Sequence, residues 1–219
     1  MRIFLIRHGE SIQNTNENPQ NLPDHLVTLT QKGEQQASEC GEFLKKFCSD
    51  NNIDLQKSTL FVSTYERARQ TAKIINTKLG IKDIKEDPLL IERQYGLYDG
   101  ITFEEREKYK TSFDFDNWMY QNAGYFYTKF PLGESPYDVM IRAKLFLGTI
   151  FRDVEKGIEN FFIVSHGMFL KTLQMTYFHY SPEWFNNSDI MDNCSIKLIE
   201  KTGDSSFDRD FIFKGSIKK

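Results

Sequence analysis

The sequence predicts an α/β fold, a three-layer α/β/α sandwich with a mostly parallel central sheet. Three observations support this class. Short, continuous apolar runs at residues 3–6, 59–62 and 161–164 are typical of strands buried on both faces. Segments with apolar residues at helical spacing lie between and after these runs. Strands that alternate with helices in this way indicate a parallel sheet covered on both faces.

Four helices are predicted around the sheet, over residues 34–47, 63–80, 135–154 and 168–177. The second is expected to begin at Ser63, with Glu66 as its capping-box partner, and to end at Gly80. Apolar side chains at helical spacing predict the buried face of the third helix. These are Val139, Ala143, Phe146, Leu147, Ile150 and Phe151.

The remaining segments complete one domain over residues 1–219. Residues 81–87 are expected to be extended, and residues 196–199 and 211–213 to pair as a hairpin around Gly203 and Asp204. Residues 14–28 form a polar loop rich in Asn. No repeat or linker composition divides the chain, and residues 102–131 are interpreted as an aromatic-rich flap insertion.

Composition excludes several classes of function. The 219 residues carry 28 basic and 31 acidic side chains, a net charge of −3, so neither nucleic acid nor an anionic membrane is an expected partner. The three cysteines show no metal-ligand spacing and are expected to be buried free thiols. With no signal peptide or spanning segment recognised, we expect a cytoplasmic protein. The sequence also offers no plausible cluster of metal ligands, so no metal or cofactor is expected.

Two histidines follow predicted strands in the same manner. His8 comes directly after the first apolar run, His166 comes after the run at 161–164, and a glycine follows each of them. Ligands of open α/β sheets bind beyond the carboxyl ends of the strands, and glycine lets the backbone approach a ligand closely. A single histidine of this kind is more often an ordinary core or surface residue. The repeated placement favours a shared functional crevice.

The motifs around these histidines resemble the histidine phosphatase superfamily, the phosphoglycerate mutase-like proteins. Residues 5–11 (LIRHGES) resemble its signature, and residues 63–72 (STYERARQTA) its second arginine motif. Residues 91–96 (IERQYG) resemble its acidic motif, residues 133–135 (GES) with Arg142 its next helix, and residues 164–167 (VSHG) its second histidine motif. The motifs occur in the family's order and extend from Arg2 to about Ile199, so the resemblance is specific.

This resemblance implies a catalytic set of five residues. His8 is expected to accept the phosphoryl group as a neutral nucleophile, giving a phosphohistidine. Arg7 and Arg67 offer planar forks to phosphate oxygens, and His166 a further donor. Glu92 is expected to protonate the leaving oxygen and then to activate water. The alternative for Glu92 is a surface carboxylate paired with its neighbouring arginine.

Six further residues are weaker candidates for substrate contacts. Asn14 matches a family position that helps to bind phosphate, and Arg93 and Tyr95 match positions that contact substrate. Gly9, Ser11 and Gly167 are expected to contribute backbone or hydroxyl groups. His25 and His179 match no catalytic motif, and Arg69 is interpreted as a surface residue.

The aromatic stretch at residues 113–130 allows two interpretations, which are compatible. Either it packs an apolar face on the domain, or it forms a lid that shapes substrate choice over His8.

Within the family, phosphatase is favoured over mutase. The Gly-Trp stretch that mutases show after the first motif is replaced by Asn-Pro-Gln-Asn at residues 18–21 and the residues that follow. The arginine pair of their insertion is absent from residues 111–131, and Met168 stands where they carry Asn. We therefore expect a phosphatase acting on a small phosphorylated substrate. A cofactor-dependent phosphoglycerate mutase is the alternative, with a phosphoprotein phosphatase or a non-enzymatic regulatory protein behind it. A homodimer is left open.

Overall fold

A single six-stranded sheet organises the part of the chain that the computed structural model describes, residues 1–15, 22–99, 108, 110–203 and 205–215. The spatial order of the strands is β3-β2-β4-β1-β5-β6. Four neighbouring strands run parallel, and β5 and β6 add an antiparallel hairpin at one edge. The strands are β1 (Arg2–Arg7), β2 (Ser58–Val62), β3 (Asp83–Glu86), β4 (Asn160–Ser165), β5 (Ile196–Thr202) and β6 (Ser205–Phe213). The predicted mostly parallel sheet and its final hairpin are confirmed.

Helices pack on both faces of this sheet. They are α1 (Gln31–Asp50), α2 (Glu66–Leu79), α3 (Lys110–Ala123), α4 (Pro136–Glu155), α5 (Gly167–Phe178) and α6 (Pro182–Asn187). Phe4 and Ile6 of β1 are buried in one apolar cluster with α1 and α2, whereas Ile3 and Leu5 are buried in a second cluster with α4 and α5. Successive side chains of a strand point to opposite faces, so β1 contributes to both cores. The predicted three-layer sandwich is confirmed.

Two local predictions are wrong. Helix α2 begins after Tyr65, not at Ser63, and the Tyr65 side chain makes no capping hydrogen bond. The Ser63 hydroxyl instead forms a hydrogen bond with Nε2 of His166. Phe151, expected on the buried face of α4, is 46% exposed, whereas the other five predicted side chains are buried. The α4 cap is strong: Ser135 and Asp138 form a reciprocal capping box.

The predicted flap falls partly outside the described residues, which omit 100–107 and 109. Within α3, Phe115 and Trp118 are more than half exposed and stack on each other. Phe126, just beyond the helix, is buried against Phe185. The packing interpretation therefore holds for the segment after α3, and the lid interpretation stays a prediction.

Cys40, Cys48 and Cys194 are buried free thiols, as expected. No helix in the described part of the chain is both long and apolar enough to cross a bilayer.

The start of α1 lies against the loop that follows β1. The backbone amide of Glu10 donates to Gln36, and that of Thr30 donates to the Glu10 carbonyl. At Gly33, an added Cβ would overlap the carbonyl oxygen of Glu10. This close backbone contact fixes the distance between α1 and the loop that carries His8.

Gly33→Ala is therefore expected to destabilise the protein by about 1–3 kcal/mol, because backbone atoms must move apart to admit the methyl group. Gly148→Ala is the matched control, since a Cβ at this position in α4 would meet only the Arg152 side chain, at 3.5 Å. Alanine in a helix interior is more favourable than glycine, so this control is expected to be neutral or stabilising by up to about 1 kcal/mol. Urea denaturation measures both; equal stabilities for the two variants would contradict the close contact.

Candidate active site

The pairing of β1 with β4 brings the two strand-end histidines together. Arg7 lies opposite Ser165 in the parallel register, and the His8 amide donates to the Ser165 carbonyl at 2.9 Å. The ring centroids of His8 and His166 are 5.0 Å apart, and both side chains are buried. The structure therefore places both residues together at one end of the sheet, as the repeated strand-histidine-glycine pattern predicts.

Hydrogen bonds to both ring nitrogens define the form of His8. Nδ1 lies 2.7 Å from the carbonyl oxygen of Gly9, which can only accept, so the neutral ring carries its proton on Nδ1. Nε2 accepts from Nε of Arg67 at 3.3 Å, as an unprotonated nitrogen can. His8 therefore presents a lone pair at Nε2, the form that a nucleophile needs.

Burial and neighbouring cations keep both histidines neutral. The pKa of His8 lies well below 6.5 because burial disfavours the charged ring and because Arg67 and Arg7 lie nearby. The pKa of His166 is lowered in the same way, first by burial and then by His8 and nearby arginines.

Arg67 lies in the first turn of α2 and reaches His8 from the side. It is 3% exposed, and its guanidinium carbon lies 5.0 Å from the Tyr65 ring centroid. Its Nη1 and Nη2 donate hydrogen bonds to Asp24, and its Nε donates one to Nε2 of His8. The predicted arginine therefore lies beside His8.

Arg7 is the last residue of β1, and the Nε atom of its side chain has no hydrogen-bond partner. Nη1 donates to the Met191 carbonyl at 2.6 Å, whereas Nε is buried without a hydrogen-bond partner. Gly167 packs nearby: a Cβ there would overlap the Ile190 side chain and would be in ordinary contact with Arg7 Nε, at 3.6 Å. The contribution of Gly167 in this structure is therefore space for Ile190 beside Arg7.

His166 also has a buried polar atom without a partner. Its Nε2 lies 2.8 Å from the hydroxyl oxygen of Ser63, and its Nδ1 makes no hydrogen bond. Buried polar atoms are nearly always paired, so each exception requires an explanation. Arg7 Nε and His166 Nδ1 are two such exceptions, and both lie on residues close to His8.

Glu92 lies at the N-terminus of α5. Its carboxylate accepts the amides of Met168 and Phe169, each at 3.2 Å, and the amide of Arg93 at 2.8 Å. The alternative of a side-chain pair with Arg93 is not what the structure shows. Amide donors and the positive end of the helix dipole stabilise a carboxylate here and fix its position.

Arg142 of α4 holds the loop that carries Glu92. It donates to the carbonyl oxygens of Leu89, Ile91 and Glu92, and it pairs with the Glu134 carboxylate through two nitrogens. This bidentate pair joins the motif at residues 133–135 to the acidic motif, and it gives Glu134 a structural role.

Arg93 is enclosed by aromatic side chains. It is 1% exposed, and its guanidinium carbon lies 5.0–5.3 Å from the ring centroids of Tyr95, Tyr125 and Phe130. Nε donates to the Glu134 carbonyl, and Nη1 is buried without a partner. Burial comes first among the causes that raise the pKa of Tyr95, so this phenol stays neutral. The two residues lie together, on the flap side of Glu92.

Three predicted substrate contacts are engaged within the protein. The Gly9 amide donates to the Thr71 hydroxyl at 3.0 Å. The amide and hydroxyl of Ser11 both donate to Oδ1 of Asn14, which closes the turn after β1. In this structure these donors shape the loop that carries His8, and they do not point freely into the crevice.

Sequence reasoning missed several residues of the site. Asn193 donates to the His8 carbonyl at 3.0 Å, and Thr71 binds Gly9 while donating to the Arg67 carbonyl. Asp24 pairs with Arg67. Thr71 lies within the second arginine motif, whereas Asp24 and Asn193 lie in loops with no periodic pattern. No group of three histidine, cysteine or carboxylate side chains in the described part of the chain is arranged to hold a metal ion.

A buried neutral histidine with two arginines nearby is an arrangement suited to an anion such as phosphate. A model of the histidine phosphatase superfamily (branch 1) matches residues 3–207, so the chain belongs to that superfamily.

Individual relatives differ in their names. The chain is 30% identical over 212 residues to the phosphoglycerate mutase-like protein AT74 of Arabidopsis thaliana; the match covers 91% of this chain but 64% of AT74, less than two thirds of that relative's length. It is 28% identical over 208 residues to 2,3-bisphosphoglycerate-dependent phosphoglycerate mutase 2 of Gloeobacter violaceus, covering 94% of this chain and 88% of that protein. The alpha-ribazole phosphatase of Shigella flexneri superposes with a TM-score of 0.76 at 20% identity, covering 98% and 96% of the two chains. That likeness shows the fold alone.

The buried neutral histidines predict acid sensitivity. The unfolded chain gains protons on both rings as the pH falls through about 6.5, whereas the folded chain does so only at lower pH. The unfolded state then binds more protons, so the free energy of unfolding falls as the pH drops. Calorimetry should show a lower Tm at about pH 5.5 than at about pH 7.5, and a smaller difference in His8→Asn. The exposed His25 supplies the control variant His25→Asn, and an equal pH dependence in both variants would contradict the interpretation.

Proposed function

We propose that the protein is a phosphatase that hydrolyses phosphomonoesters through a phosphohistidine on His8. The observation that carries the proposal is the pair of buried polar atoms without partners, Nε of Arg7, which precedes His8 in the chain, and Nδ1 of His166, whose ring centroid lies 5.0 Å from that of His8. A phosphoryl group at Nε2 of His8 would supply oxygen acceptors to both of these donors.

In the first step, His8 Nε2 attacks phosphorus and the bond to the leaving oxygen breaks. Arg7, Arg67 and His166 stabilise the charge on the equatorial oxygens, which is the main requirement of phosphoryl transfer. The leaving oxygen takes a proton from Glu92.

In the second step, water attacks the phosphohistidine. Glu92 takes a proton from the water, the phosphorus–nitrogen bond breaks, and phosphate leaves with His8 restored in its neutral form. The low pKa of His8 suits it to this cycle, because the ring returns to the state with a free lone pair without losing a further proton.

The substrate is proposed to be a small phosphorylated molecule, with Arg93 and Tyr95 on the leaving-group side and Asn14 near the phosphate. Arg93 supports this with its buried, unpartnered Nη1 beside the Tyr95 ring. A cytoplasmic location, a homodimer and independence of any cofactor stay predictions from the sequence.

A chromogenic phosphomonoester is expected to be hydrolysed by the wild type and not detectably by His8→Ala. Rapid acid quenching should fail to retain a phosphoramidate, whereas alkaline quenching should trap a phosphorylated His8 that mass spectrometry locates.

Incubation with 3-phosphoglycerate, with and without 2,3-bisphosphoglycerate, distinguishes the mutase alternative. Isomerisation that depends on the bisphosphate, without net phosphate release, would overturn the phosphatase assignment.

Glu92→Gln is expected to lose about 10²–10⁴-fold in kcat on alkyl phosphates, because their leaving oxygens need a proton. The loss should be much smaller for p-nitrophenyl phosphate, whose leaving group departs as a stable anion. The two substrates measured on one variant serve as each other's control. An equal loss on both would indicate that Glu92 acts through the structure of α5 rather than as the acid.

A further inference from the structure

Asp24 accepts three hydrogen bonds from Arg67, and no motif in the sequence predicts this contact. Its carboxylate accepts from Nη1 at 2.8 Å and from Nη2 at 3.2 Å, and its backbone carbonyl accepts from Nη1 at 2.7 Å. The Arg67 side chain is 4% exposed and that of Asp24 is 22% exposed. A paired charge this deeply buried is fixed in place far more firmly than an exposed one.

The contacts divide the guanidinium of Arg67 into two sides. Asp24 occupies the end formed by Nη1 and Nη2, whereas Nε points at Nε2 of His8, 3.3 Å away. Because the group is planar and rigid, fixing its outer end also fixes the direction of its Nε–H. Asp24 therefore lies behind Arg67 relative to His8, and it does not occupy the place of a phosphoryl group on Nε2.

The segment around Asp24 is held as a preformed acceptor. Asp24 opens a short 3-10 turn, Asp24–Leu26, and Pro23 before it has its φ at −51°. The Leu26 amide donates to the Pro23 carbonyl, and Val27 is fully buried. A turn anchored by the buried Val27 can present a carboxylate and a carbonyl to one arginine with little further ordering.

We propose that Asp24 is a positioning residue, which holds Arg67 so that its Nε edge faces the phosphoryl group on His8. This inference rests on the proposed phosphatase function. Without the Asp24 carboxylate, Arg67 would keep its charge and its bond to the backbone carbonyl of residue 24, but it would lose the two-oxygen contact that sets its direction. Transition-state stabilisation depends on donors held in place beforehand. The expected effect is on kcat, since the phosphoryl oxygens gain charge during transfer.

The test compares Asp24→Ala, Asp24→Asn, Arg67→Ala and the double variant Asp24→Ala/Arg67→Ala on a chromogenic phosphomonoester. Asp24→Ala is expected to lower kcat about 10- to 100-fold with little change in KM. Asp24→Asn keeps one side-chain oxygen acceptor and the backbone carbonyl, so it should recover part of the loss and guards against a failure to fold. Because Asp24 acts through Arg67, the double variant should be no slower than Arg67→Ala.

The matched control is Glu86→Gln. Arg69, two residues after Arg67 on the same helix, pairs with Glu86 on the surface, where both side chains are more than 40% exposed. Removing this carboxylate changes the charge by the same amount beside an arginine that faces solvent, so kcat should not change.

Binding of orthovanadate, a mimic of the phosphoryl transition state, separates two kinds of failure. It should weaken in Asp24→Ala by a factor similar to the loss in kcat. A wild type that neither binds vanadate nor hydrolyses the ester overturns the proposed function, and this inference with it. An active wild type overturns the inference alone under any of three results: unchanged kcat in Asp24→Ala, additive losses in the double variant, or tighter vanadate binding in Asp24→Ala. The last result would show that Asp24 competes with phosphate for Arg67.

Discussion

The site depends on one backbone interaction, the in-register parallel pairing of β1 with β4. Six residue pairs align from Arg2 with Asn160 to Arg7 with Ser165, so both strands end at the same level. A slip of one residue would turn every side chain of β1 to the opposite face. It would exchange the apolar side chains of the two cores and separate His8 from His166. The register is therefore specified by the same burial that stabilises the sheet, and the geometry of the site follows from it.

Arginine side chains lie close to both histidines at this end of the sheet. The histidines are neutral because burial and the neighbouring guanidinium groups oppose their protonation. Burial also lowers the pKa of Arg7, against the raising effect of Glu92 and Asp192. Each arginine is partly compensated from behind, Arg67 by a carboxylate and Arg7 by a carbonyl oxygen.

The sequence predicts the strand ends and the residues beside them well, because apolar runs and adjacent polar residues are local signals. His8 and His166 were found in this way, and the structure places them together. Ser63 is predicted as a helix cap because serine is a common capping residue. Its hydroxyl instead bonds to His166, which only the pairing of β2 with β4 brings near. Asp24 lies 43 residues before Arg67, in a loop whose course no periodicity describes. Contacts of that kind are set by tertiary packing, and one sequence carries no signal for them.

The position of β1 in the sheet has a consequence for the way the chain is made. Its two neighbours are β4 and β5, which begin at Asn160 and Ile196, so β1 is synthesised well before either strand with which it pairs. An apolar strand that waits unpaired is exposed to aggregation, and long-range pairing of this kind folds slowly. Strand β2 pairs with β3 and β4, and of these only β3 is synthesised soon after it. The synthesis of Asn160–Ser165 is therefore the event that allows the centre of the sheet to close, and the crevice comes into existence with it.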